Sequence, residues 1–66
     1  MVFKNIEIVK NEKFSTVDEE LYIIRFKYVF NGEDDETVLE YVKREDVHLA
    51  IAAIMQDPVN FREMYP

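Results

Sequence analysis

From Leu21 to Phe30 the chain reads Leu-Tyr-Ile-Ile-Arg-Phe-Lys-Tyr-Val-Phe, and only two basic residues interrupt its apolar and aromatic side chains. Branched and aromatic side chains suit a pleated surface, so this stretch is predicted as the central strand. Asn31-Gly32 follows at once, a pair that tolerates positive φ and turns the chain back. Upstream, Val2 to Lys10 alternates loosely, with Val2, Ile6 and Ile8 on one side and Asn5 and Glu7 on the other, which predicts a first strand. Asn11-Glu12-Lys13 interrupts it, and Phe14 to Val17 either resumes the strand beyond a bulge or belongs to a long connection. Asp18-Glu19-Glu20 makes a polar tip. After the central strand, Asn31 to Glu36 reads as an acidic tip and Thr37 to Lys43 as the third strand.

Two registers can join the second and third strands. A four-residue loop, Asn31 to Asp34, sets Phe30 against Asp35, Phe26 against Leu39, Ile24 against Tyr41 and Arg25 against Glu40. A two-residue Asn-Gly turn sets Arg25 against Val38 and Ile23 against Glu40. The first matches apolar with apolar and positive with negative, pairs worth some tenths of a kcal/mol each, and is the one expected.

From Glu45 the period becomes helical, with Val47, Ala50, Ile51, Ile54 and Met55 on one stripe. Glu45 and Asp46 complement the macrodipole in the first turn. Asp57-Pro58 ends this helix and can begin another, with Asp57 as N-cap and Pro58 at N1. That second helix, Pro58 to about Met64, is expected to place Phe61 and Met64 or Tyr65 on the core. The predicted fold is α+β: one domain over residues 1–66, a three-stranded antiparallel β-meander with one α-helix on one face and a short C-terminal helix.

On the face assigned to the helix fall Tyr22, Ile24, Phe26, Tyr28, Phe30, Leu39 and Tyr41. The opposite face carries Leu21, Ile23, Val29, Val38 and Val42, broken by Arg25, Lys27 and Glu40. One helix covers one side of such a sheet, so this half-apolar face is the expected contact surface for a partner protein or a second copy.

Charge narrows the chemistry. Fourteen acidic residues stand against eight basic ones, a net charge of −6, which repels phosphate backbones and anionic membranes. No segment approaches the ~18 apolar residues of a membrane span, and the first ten residues lack the apolar run of a signal peptide. The absence of cysteine excludes disulfides and thiolate metal sites, which fits a cytoplasmic setting. His48 and Ser15 are the sole histidine and serine; Glu45 lies one turn before His48, but a surface pair accounts for it, and a triad needs an orienting acid and an oxyanion pocket besides. Asn31, Glu33 and Asp35 space oxygens as a calcium loop does, yet Glu36 and Val42 stand where an EF-hand needs glycine and a bidentate glutamate. Arg25 and Lys27 point away from Tyr22, Phe26 and Tyr28, so the sheet is no stacking platform for single-stranded nucleic acid. No enzyme activity, cofactor or metal is expected.

What remains is acidic clustering, with Asp18 to Glu20, Glu45 and Asp46 at one end of the sheet and Glu33 to Glu36 at the other. The expected function is a small acidic protein-binding module without catalysis, meeting a protein partner with a basic surface and no nucleic acid directly. In composition it resembles in type the small inhibitors of nucleic-acid-handling proteins encoded by phages and mobile elements, although no motif carries that likeness. Glu33, Asp34, Asp35 and Glu36 are the residues expected to steer the partner, and Ile23, Arg25 and Val42 those expected to touch it. The alternative is a homo-oligomeric accessory domain that pairs through its second sheet face or an edge strand.

Overall fold

The stretch from Leu21 to Phe30 is the middle strand of three. In the structure, a computed structural model that describes residues 1–65, the order is β1 (Val2–Lys10), β2 (Leu21–Phe30), β3 (Glu33–Lys43), a 3-10 turn (Arg44–Asp46), α1 (Val47–Gln56) and α2 (Pro58–Met64). β2 pairs antiparallel with both neighbours, giving the sheet order β1-β2-β3, and the predicted α+β meander with a short second helix is what is found. The connection from Asn11 to Glu20 forms turns and coil rather than a resumed strand.

The hairpin between β2 and β3 differs from the expected register. Phe30 faces Glu33, so the loop is Asn31-Gly32 alone, with φ of 52° and 79°. Positive φ at both residues is the two-residue turn whose twist matches that of the flanking strands. Arg25 accordingly lies opposite Val38, and Ile24 opposite Leu39. The acidic run Glu33 to Glu36 is therefore edge strand and not a loop tip.

Two bulges alter the faces. Between Phe3 and Asn5 the register of β1 slips by one, which puts Phe3, not Val2, on the side of Ile6 and Ile8; the Phe3 ring stacks on Phe26 with centroids 6.0 Å apart. Between Tyr22 and Ile24 the partners step from Val42 to Leu39, leaving Glu40 and Tyr41 together opposite Ile23. An extra residue re-aims the side chains beyond it, so Val42 turns under the helix, where it packs on the core. Tyr41 is expelled from that face, is 60 % exposed, and meets the Phe14 ring edge-on at 5.2 Å. Both placements reverse the expected ones.

The buried core is Ile24, Phe26 and Tyr28 of β2 with Ile54 of α1 and Phe61 of α2. Phe26 is wholly buried, and truncating such a side chain to alanine costs about 3–5 kcal/mol. On α1 the predicted stripe is narrower than expected: Val47 and Ala50 pack on the core and Ile54 lies within it, while Met55 is 62 % exposed. Asp57 caps α2 as expected, its side chain accepting from Asn60 N at 3.1 Å with Pro58 in the first turn. Phe61 is buried, Met64 is exposed, and Tyr65 lies 4.8 Å from the Phe61 ring. No helix among the described residues is long and apolar enough to cross a membrane.

Candidate partner-binding groove

The bulge that turns Val42 inward also opens a groove between β3 and α1. Leu39 and Val42 form one wall; Leu49, Ala50 and Ala53 of α1 form the other, with Phe61 and Tyr65 at one end, enclosing about 390 Å³. Lys43 and Asp46 are the charged residues on its lining. Leu49, 57 % exposed, lies outside the stripe predicted for α1. The available signal was that eight of the ten residues of α1 are apolar, more than one core-facing stripe requires.

The residues expected to make contact do not share one surface. Val42 lines the groove. Arg25 and Ile23 lie on the opposite face of the sheet, Ile23 opposite the bulge. That face is laced by ion pairs spanning all three strands: Lys4 to Asp34 between β1 and β3, Lys27 to Glu7 between β2 and β1, and Arg25 to Glu36 between β2 and β3, each 3.1 Å. Exposed pairs of this kind contribute only ~0.2–1 kcal/mol each. Their larger consequence is that Lys4, Arg25 and Lys27 are already neutralised.

The acidic run is similarly occupied. Asp34 and Glu36 are in the pairs just described, and Asp35 meets Arg62 of α2 at 3.4 Å. The Arg62 guanidinium in turn lies 3.7 Å above the Phe30 ring. Of the four residues expected to steer a partner, Glu33 alone is outside these four ion pairs. The four pairs take equal numbers of acids and bases, so the net charge of −6 resides wholly on other residues. Of the second acidic group, Asp18, Glu19, Glu20 and Glu45 line a depression of about 330 Å³ with Arg44, whereas Asp46 lines the groove instead. Tyr22 donates its hydroxyl to Glu20 Oε2 at 2.8 Å. That hydrogen bond holds the Glu20 carboxyl below its usual range and pushes the Tyr22 phenol up.

Ser15 is structural, its hydroxyl accepting from Leu21 N at 2.9 Å and donating to Leu21 O at 3.2 Å. His48 is exposed on α1. Among the described residues no group of three or more His, Cys, Asp or Glu side chains is placed to hold a metal ion. Comparison with protein-family models, with curated proteins and with solved structures finds no match.

Proposed function

We propose that this chain is an acidic, non-catalytic protein-binding module that takes an apolar side chain of a basic partner into the groove between β3 and α1. The observation that supports this reading is the exposed apolar wall around Leu49 on a molecule whose Lys4, Arg25 and Lys27 are internally paired while its acidic excess is not. An apolar anchor ringed by complementary charge is the usual division of labour at an interface: the anchor supplies affinity, the charge on-rate and selectivity. A partner whose basic surface ordinarily holds nucleic acid has this character, and inhibition by occupying that surface is the finer form of the reading.

The test is capture from lysate with the tagged chain, with and without nuclease, at low and moderate salt, comparing the unaltered sequence with Leu49→Lys and with Arg25→Ala. The expected result is one basic protein, released by salt, indifferent to nuclease, lost with Leu49→Lys and kept with Arg25→Ala. Equal capture by a Leu49→Lys variant with unchanged circular dichroism overturns the groove as the contact.

A further inference from the structure

The two free edges of the sheet are not equivalent. In an antiparallel pair, residues alternate between those that spend their backbone groups on the partner strand and those that direct them away. The Asn31-Gly32 turn makes Phe30 and Glu33 the closing hydrogen-bonded pair. By alternation Asp34, Glu36 and Val38 direct their N–H and C=O groups off the β3 edge. That edge is guarded: Asp35 Oδ1 takes the outward N–H of Glu36 at 2.8 Å, β3 carries five carboxylates to one lysine, and the bulge at Glu40 and Tyr41 interrupts it. Acids, bulges and side-chain caps are the means by which edges are kept from pairing.

On β1 the same alternation leaves Ile6, Ile8 and Lys10 directing their backbone groups outward. Two bonds agree with this parity: Asn11 N donates inward to Leu21 O at 2.7 Å, while the Lys10 carbonyl, facing away, is taken by Glu12 N at 3.1 Å. Beyond the bulge the register from Asn5 to Lys10 is unbroken. The strand has Lys4, Glu7 and Lys10 as its charges, and Ile8 and Val9 are 42 % and 53 % exposed. From Asn5 to Val9 this edge is regular and has one carboxylate, Glu7; the bulge at Lys4 and the turn at Lys10 close only its two ends.

We infer that β1 pairs antiparallel with β1 of a second copy, joining two sheets into one of six strands. Charge and the bulge select the register. Centring the pair on Glu7 opposes Glu7 to its own copy and Lys4 to Lys10; centring it on Ile6 brings Ile8 against the bulged Lys4. Centring it on Ile8 opposes Ile8 to Ile8, Ile6 to Lys10 and Glu7 to Val9, with no like charges facing. The acidic β3 strands then lie at the two far edges, where their guard stops further addition, so the assembly closes as an isologous dimer. The inference stands apart from the groove reading, because both grooves remain open at the outer edges.

The test is solution mass by light scattering, with amide hydrogen exchange read residue by residue. The expected result is twice the 7.9 kDa of one chain, with the outward amides of Ile6 and Ile8 slowed at high concentration and fast on dilution. Ile8→Lys, which opposes two cations across the axis, gives the single-chain mass with the same circular dichroism. In a separate variant, Ile8→Cys cross-links rapidly under mild oxidation, since Cα atoms in such a pair stand about 5.5 Å apart, whereas Tyr41→Cys does not. Leu49→Lys keeps the doubled mass, which separates this result from the groove. A single-chain mass at all concentrations, or a dimer indifferent to Ile8→Lys, overturns the inference.

Discussion

Asn11, just beyond β1, donates its side-chain amide to the Glu40 carbonyl of β3 at 2.7 Å, although β2 lies between those two strands. The bulge at Glu40 and Tyr41 makes the bond available, because a bulged residue is left out of the ladder. Asn11 is buried, so the bond ties this end of the sheet together across β2. Removing one partner of a buried hydrogen bond costs about 1–3 kcal/mol. Asn11→Ala is expected to lower unfolding stability by that amount in urea denaturation. Asn11→Asp is expected to lose more at neutral pH, where a carboxylate faces a carbonyl, and to recover part of the loss in acid, where it can donate. Asn5→Ala, at an exposed position, serves as the control with little change.

Tyr28 and Thr37 share a buried polar contact, hydroxyl to hydroxyl at 3.0 Å. Both residues are buried, so either single deletion, Tyr28→Phe or Thr37→Val, leaves one hydroxyl without its partner at a cost of about 1–3 kcal/mol. The double variant removes both polar groups and is expected to be less destabilised than the sum of the singles. Additive losses in the cycle argue that the hydroxyls are satisfied independently.

Gly32 has φ of 79°, and a Cβ placed there meets no atom within 4 Å. Gly32→Ala therefore incurs backbone strain without a clash, a loss of about 1–2 kcal/mol for an L-residue in this region. D-alanine introduced by chemical synthesis suits the same φ and is expected to restore stability, measured by thermal unfolding. If L- and D-alanine are equally destabilising, conformational strain at the turn is not the cause.

That turn also marks where sequence reading succeeds and where it stops. Leu21 to Phe30 was legible as a strand because its composition commits it to one backbone state. Asp57-Pro58 was legible as a break and a cap because proline forbids the alternatives. Register was not, since pair matching is nearly degenerate: Arg25 opposite Glu40 in the expected register is replaced by Arg25 diagonally bridged to Glu36, and Leu39 exchanges Phe26 for Ile24. With charge satisfied either way, the turn decides, and the preference of Asn31-Gly32 for paired positive φ is stronger than tenths of a kcal/mol per pair. The bulges at Lys4 and at Glu40 with Tyr41 were illegible for a related reason: counting in twos cannot see an inserted residue, and each one exchanges faces beyond it. Alternation therefore puts Val42 on the wrong face, and the groove it lines is invisible to that count.

The Tyr22 hydroxyl bond to Glu20 at 2.8 Å couples stability to pH at two separated ends of the scale. Glu20 is held below its ordinary value of 4.5 chiefly by this bond; desolvation opposes it as the next largest effect, and Lys10 and Arg44 each lower it by less. Its folded state favours the carboxylate, so its contribution is present above that ordinary value and is lost as pH falls through the lowered one. Tyr22 is raised above 10.0, chiefly by the same bond. Its contribution is present below 10.0 and lost as pH rises through the raised value. The stability difference between the unaltered chain and Tyr22→Phe is therefore expected to be flat across neutral pH and to shrink at both extremes. Glu20→Gln, which can still accept the hydroxyl, removes the acid-side dependence and leaves a neutral-pH contribution. NMR titration of the Glu20 carboxyl checks the origin directly. In Tyr22→Phe its midpoint is expected to rise toward the ordinary value, and an unchanged midpoint shows that Lys10 and Arg44, not the phenol, hold it down.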